Sequence, residues 1–153
     1  MFELSKKTKE FLLKNKHKRI VFTNGCFDIL HSGHIMYLNE AKAQGDFLIV
    51  GLNSDSSIKK LKGSDRPINN EEDRKYLLEN LKAVDCVEIF QEDTPYELIK
   101  TIMPSVLVKG GDWQIGEIVG SDLVLKKGGE VKSLSFKEGK STTNIIDKIR
   151  KNT

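Results

Sequence analysis

The chain predicts an α/β protein built on a five-stranded, doubly wound parallel sheet with helices on both faces. Three observations predict it. Short β-branched or aromatic runs recur along the chain, among them Ile20-Val21-Phe22 and Val106-Leu107-Val108, each the size of a strand buried on both faces. Segments with helical spacing lie between them, opened by capping residues and closed by glycine. No internal repeat, low-complexity linker or change of composition divides the 153 residues, so one domain over 1–153 is expected.

The elements follow in order. Leu4, Phe11 and Leu12 give an amphipathic first helix over about Leu4 to Lys14, available to the sheet or, within residues 1–17, to a partner subunit. Arg19 to Thr23 is the first strand; Ile35, Leu38 and Ala41 then fall on helical spacing as far as Gly45. Phe47 to Leu52 is the second strand, and Asn53-Ser54-Asp55 after it suits a helix cap. Lys59 to Pro67, with its basic residues, glycine and proline, reads as a mobile loop. Asn69-Asn70-Glu71-Glu72 opens a helix whose buried face would be Leu77, Leu78, Leu81 and Val84. Cys86 to Phe90 is the third strand, and Thr94-Pro95-Tyr96-Glu97 reads as a capping box with proline in the first turn of a helix to Met103. Val106-Leu107-Val108 is the fourth strand, Ser121 to Lys127 a helix stopped by Gly128-Gly129, Glu130 to Ser135 the fifth strand and Thr143 to Lys151 the last helix. The alternation is Rossmann-like.

Composition narrows the class. The 25 basic and 22 acidic residues give a net charge of +3, spread along the chain apart from lysine-rich ends, which suits anionic small ligands better than nucleic acid. Cys26 and Cys86 form neither a disulfide framework nor a CxxC pair, as in a reducing compartment. Lysines interrupt the first fifteen residues and no apolar run reaches membrane-spanning length, so a cytoplasmic location without membrane attachment is expected.

The chemistry concentrates in Thr23-Asn24-Gly25-Cys26-Phe27-Asp28-Ile29-Leu30-His31-Ser32-Gly33-His34, between the end of a strand and the start of a helix. Ligands collect at that junction in open α/β sheets, and free N–H groups at a helix start attract phosphate. Two of the three histidines of the chain are His31 and His34, three residues apart, so both imidazoles can converge on one phosphoryl group while Gly33 lets the backbone approach. Plain helix capping is the competing reading. A zinc site is a weaker one, since no Cys/His set of the right spacing completes it. Three further segments follow strands or open helices. Lys62, within Lys59 to Pro67, is the candidate for neutralising charge during phosphoryl transfer. Lys109-Gly110-Gly111-Asp112-Trp113 offers close backbone approach and an aromatic face for a base or sugar. Ser141-Thr142-Thr143 places hydroxyls and free amides at a helix start.

Gly25-Cys26-Phe27-Asp28 with His31-Ser32-Gly33-His34 resembles the signature of the cytidylyltransferase-like nucleotidyltransferases. From about Lys18 to Lys151 the chain is further similar to the heptose 1-phosphate adenylyltransferase branch, through Asn53-Ser54-Asp55, Leu61-Lys62-Gly63, Arg66-Pro67-Ile68-Asn69, Val108-Lys109-Gly110-Gly111-Asp112 and Ser141-Thr142-Thr143-Asn144. Phe136 stands where small cytidylyltransferases usually carry arginine, and Trp113 where a tyrosine is common. The resemblance implies transfer of AMP from ATP, with Mg2+, to D-glycero-β-D-manno-heptose 1-phosphate, releasing pyrophosphate and supplying lipopolysaccharide or surface-glycan precursors. It implies His31, His34 and Lys62 as catalytic residues. Thr23, Asn24, Gly25, Cys26, Phe27, Gly33, Lys109, Gly110, Asp112, Ser141, Thr142 and Thr143 would bind nucleotide, and Asp28, Asn53, Asp55, Arg66 and Trp113 the acceptor. Asp28 would orient the motif or assist the metal, with no resident metal ion expected. Many relatives carry the domain behind a sugar kinase, so a separate heptose kinase is implied as a pathway partner, and homodimers are frequent. The motif leaves open a cytidylyltransferase or adenylyltransferase for another phosphorylated acceptor, and a catalytically silent nucleotide-binding subunit.

Overall fold

The five strands expected from the sequence form as parallel strands, β1 (Ile20–Gly25), β2 (Phe47–Asn53), β3 (Cys86–Phe90), β4 (Val106–Gly110) and β5 (Glu130–Leu134). The structure is a computed structural model and describes residues 1–135 and 139–153. Strand order is β3-β2-β1-β4-β5, which is the doubly wound sheet the sequence predicts, with its reversal of direction between β1 and β4. Helices α1 (Lys6–Lys14), α2 (Ser32–Lys42), α3 (Asp55–Lys62), α4 (Glu71–Glu79), α5 (Tyr96–Ile102), α6 (Ser121–Lys126) and α7 (Thr142–Lys151) connect or follow them, with one 3-10 turn at Ile115–Glu117. No helix among the described residues is long and apolar enough to cross a membrane.

Side chains alternate across the sheet, and a separate apolar layer fills each face. On one face Val21, Leu48, Val50, Val87 and Val106 meet Tyr37, Leu38 and Ala41 of α2 and Leu78 of α4. On the other Phe22, Ile49, Phe90 and Leu107 meet Leu98, Ile99 and Ile102 of α5 and Val124 of α6.

One detail of register makes room for a ligand. β1 pairs with β2 along its whole length, whereas its pairing with β4 ends at Phe22–Leu107, so the two central strands part over their last three residues. The Tyr37 hydroxyl fills the bottom of the opening. It lies 2.6 Å from the Thr23 hydroxyl and donates to the Val108 carbonyl at 3.5 Å. Burial pushes the Tyr37 phenol up to about 12, partly offset by the bond to Thr23, so it stays a neutral hydrogen-bonding wedge.

Several expected details are corrected. Lys59 to Pro67 is not all loop: α3 runs through Lys62, because Ser54 caps it by accepting the Ser57 N–H and Ile58 is buried beneath it. The chain leaves this helix at Gly63, whose φ of 104° suits glycine. The capping box at Thr94 does not form; Pro95 occupies the cap position, and the Thr94 hydroxyl accepts the Tyr96 N–H at 3.4 Å. Leu77, expected in the core, is 42% exposed, while Leu78 beside it is fully buried. α1 starts at Lys6 rather than Leu4 and docks on the β3 edge: the Ser5 N–H and hydroxyl donate to the buried Glu88 carboxylate at 3.1 and 2.8 Å, and the Thr8 hydroxyl donates to it as well.

Candidate active site

The parting of β1 and β4 opens a cleft of about 330 Å³ at their carboxyl ends. Asn24 to Asp28 form its floor, His34 and Thr142 one side, Lys62 and Arg66 another, and Lys109, Gly110 and Trp113 the third. A second hollow of about 320 Å³ opens at His31 and Ser32, lined also by Lys140, Ser141, Asn144 and Lys148. The histidine rings stand between the two, stacked with centroids 3.8 Å apart.

These histidines cap the helix through Nδ1, and neither Nε2 has a hydrogen-bond partner among the described residues. Gly33 N–H donates to His31 Nδ1 at 3.1 Å, and His31 N–H donates to His34 Nδ1 at 3.3 Å. With both Nδ1 atoms accepting, the proton of each neutral ring resides on Nε2. Burial first, then the charges of His31 and Lys62, lowers His34 to about 4; burial and then Lys140 lower His31 as well. Both rings are therefore neutral at pH 7, suited to donate hydrogen bonds to phosphate oxygens rather than to carry charge. Gly33 is required at its position, since a Cβ there would stand 2.9 Å from the His31 ring.

α7 reaches this junction from the far end of the chain. The Thr142 hydroxyl donates to the Ile29 carbonyl at 3.2 Å, and Ser141 caps the helix by accepting the Asn144 N–H at 3.0 Å. Ser141 lines the hollow that His31 and Ser32 also line, which brings the first turn of α7 beside that of α2. On the third side, Trp113 Nε1 donates to the Gly110 carbonyl at 3.0 Å and the ring lies 5.6 Å from Lys109 Nζ. Burial lowers the Lys109 ammonium, with Cys26 acting the other way.

The structure thus gathers Asn24, Gly25, Cys26, Phe27, Asp28, His34, Lys62, Arg66, Lys109, Gly110, Trp113 and Thr142 about one cleft, with His31 and Ser141 in the adjoining hollow and Gly33 buried beneath His31. Others are placed elsewhere. Thr23 is buried against Tyr37, Asn53 donates to the Ser57 hydroxyl at 3.0 Å, and Asp55 accepts from Arg74 Nη2 at 2.8 Å. Each has a partner inside the fold, while the Asp55 side chain stays 28% exposed. Asp112 and Thr143 are exposed and line neither hollow. Phe136 lies outside the described residues.

Asp28 is the one acidic side chain lining the cleft among the described residues, and its oxygens are committed. Oδ2 accepts from Ile68 N–H at 2.8 Å and Arg66 Nε at 3.2 Å, and Oδ1 accepts from Asn69 N–H at 2.9 Å. These bonds tie Asp28 to the 66–69 segment while it lines the cleft. No group of three His, Cys, Asp or Glu fit to hold a metal occurs among the described residues.

Sequence reasoning missed Arg74. Fully buried, it donates from Nη1 to the Cys26 and Asn53 carbonyls, each at 2.8 Å, from Nε to the Asn69 carbonyl at 2.9 Å and from Nη2 to Asp55. It joins the ends of β1 and β2 to the segment carrying Arg66. Lys140, whose charge bears on His31, was also missed. Three polar carbonyls and a carboxylate around one guanidinium is a tertiary pattern with no local signal.

Residues 22–148 match the cytidylyltransferase-like family, and the chain belongs to it. The fold and cleft are thus those of a nucleotidyltransferase. More particularly, the chain is 60% identical over 144 residues to the bifunctional protein HldE of a Nitratiruptor species, a match that covers 92% of this chain and 30% of that protein. It is 59% identical over 140 residues to HldE of Aliarcobacter butzleri, covering 92% and 29%. The chain therefore spans less than a third of the length of these relatives. Among solved structures, the lipopolysaccharide core biosynthesis protein from Thermoplasma volcanium matches with a TM-score of 0.63 at 31% identity, over 80% of this chain and 99% of that one. Pantothenate synthetase from Thermus thermophilus, at 17% identity and a TM-score of 0.61 over 94% and 68% of the chains, shares the fold.

Proposed function

We propose that the protein is a sugar 1-phosphate adenylyltransferase that joins ATP and D-glycero-β-D-manno-heptose 1-phosphate to give ADP-heptose and pyrophosphate. The observation that carries the transferase reading is the stacked His31–His34 pair, whose Nδ1 atoms cap α2 while both Nε2–H donors remain available beside the free amides of α7. The acceptor and nucleotide are supported by the likeness of residues 53–55, 61–69 and 108–112 to the heptose branch, the high identity to the HldE proteins and the structural likeness to a lipopolysaccharide core biosynthesis protein.

In this reading an oxygen of the sugar phosphate attacks the α-phosphorus of ATP in line. One P–O bond forms, the bond to the β-phosphate bridge breaks, and its electron pair leaves with pyrophosphate. The nucleophile is already ionised, so no general base is needed. Catalysis rests on positioning and charge stabilisation. His31 and His34 donate from Nε2 to the reacting phosphates, Lys62 offsets charge that develops in the transition state, and the amides at Thr142 and Thr143 with Ser141 and Lys140 hold the departing pyrophosphate. Trp113 offers its face to sugar or base. If ATP enters as its magnesium complex, the ion would belong to the substrate and would neutralise triphosphate charge.

Pyrophosphate release from ATP, CTP, GTP and UTP, each with and without the heptose phosphate, tests this. Release with ATP plus the acceptor alone supports it. Release with CTP, or none with this acceptor, sends the reading to another phosphorylated substrate of the family, and ATP binding with no release on any acceptor would point to a silent nucleotide-binding subunit.

A further inference from the structure

From the geometry we infer that Arg66 is the receptor for the phosphate of the acceptor, separate from the groups that hold the triphosphate. The inference rests on the transferase reading above and assigns one side of its cleft. The Arg66 side chain is 11% exposed, and its Nη2 is buried with no hydrogen-bond partner among the described residues. A buried cationic donor without an acceptor is costly, and such a group in a cleft wall is satisfied when a ligand supplies the oxygen. The rest of the side chain cannot swing away to find one. Nε is bonded to Asp28 Oδ2, and Asp28 is itself pinned by the Ile68 and Asn69 amides. Asp28 is a positioning residue that aims the guanidinium.

The position of Arg66 selects which anion it takes. In the proposed reaction the leaving pyrophosphate is held at the α2 and α7 starts, by Lys140 and Ser141, which line the hollow with His31, and by Thr142, which lines the cleft. In-line displacement puts the entering oxygen on the opposite side of the α-phosphorus from the leaving one. Arg66 lines the cleft and not that hollow, beside Lys62 on the segment after α3. A phosphomonoester dianion with its phosphate on Arg66 is then placed to attack away from the pyrophosphate hollow. The planar guanidinium also favours a tetrahedral oxyanion over a neutral hydroxyl, so the site recognises the phosphate rather than the sugar.

The test separates the two substrates. In Arg66→Lys and Arg66→Gln, KM for the heptose phosphate should rise about 10- to 100-fold, the range for a lost charge-assisted hydrogen bond, while the equilibrium affinity for ATP, read from Trp113 fluorescence, stays within about twofold. Matching melting temperatures show that both variants fold. An equal loss of ATP affinity, or an unchanged acceptor KM, overturns the assignment. Inorganic phosphate titrated onto wild type and Arg66→Gln saturated with α,β-methylene-ATP gives a readout that does not depend on the acceptor's identity. Phosphate binding in the wild type that weakens about 10-fold or more in the variant supports the receptor even if the heptose phosphate proves to be the wrong acceptor, and equal binding, or none to the wild type, removes it.

Discussion

The turn from β1 into α2 and the segment from the end of β2 to α4 are both rich in polar residues at the carboxyl edge of the sheet, yet they do opposite things with them. In the turn, backbone amides saturate only one nitrogen of each histidine, so His31 and His34 hold their own structure and still present a donor outward. In the second segment Asn53 and Ser54 bond to Ser57, Asp55 and the Asn53 carbonyl bond to Arg74, and Arg66 Nη2 has no partner among the described residues. Polar density alone does not mark a binding residue; leftover hydrogen-bonding capacity does.

Four measurements break or sharpen that contrast. His34→Ala should lose about 10²- to 10⁴-fold in kcat, the scale for removing a donor to developing charge, with a near-native circular dichroism spectrum; turnover close to wild type would reduce the turn to a helix cap. Arg74→Met acts on the other region and on stability first. It strips the partner from Asp55 and three carbonyls around a fully buried site, and a loss of roughly 3–5 kcal/mol is expected in urea unfolding. A loss under about 1 kcal/mol would show that water replaces the network.

Acidification distinguishes the regions without changing a residue in the wild type. His34 titrates at about 4 in the fold against 6.5 as its ordinary value, so between these pH values the unfolded chain binds a proton that the folded chain refuses. Stability contributed by the neutral ring is therefore complete above about pH 6.5 and falls as pH drops toward 4. The melting temperature of His34→Gln should decline less over that window than that of the wild type; parallel curves would mean the ring is not held neutral. The smallest effect is expected from Asn53→Ala, which removes one internal hydrogen bond to Ser57 worth about 1 kcal/mol. KM for both substrates should not move, and a rise in either would return Asn53 to the binding surface.

How much of this was legible in the sequence follows from the distance between partners. The turn was readable because its partners are two or three residues apart: Gly33 with His31, His31 with His34. Capping and phosphate binding looked like rivals there. An imidazole has two nitrogens, so capping through Nδ1 leaves Nε2 for the phosphate contact proposed above. The internal partner of Asp55 was not legible because Arg74 lies 19 positions on, and the Cys26 carbonyl that Arg74 also binds lies 48 positions back from it. The same reason hid the committed state of Asp28, whose partners are 38 to 41 residues away. α3 was read as loop because its lysines outweighed the single buried Ile58, which only packing against the sheet makes decisive.

By itself the sequence determined the alternation of strands and helices, the parallel sheet and the histidine turn, since hydrophobic period and capping act over a few residues. Only the tertiary structure decided that β1 and β4 part beyond Phe22 and Leu107, that α7 comes to rest against Ile29, and which polar side chains keep an unused donor. Those outcomes depend on which distant groups the packed fold brings together, and a hydrogen bond is local in space, not in sequence.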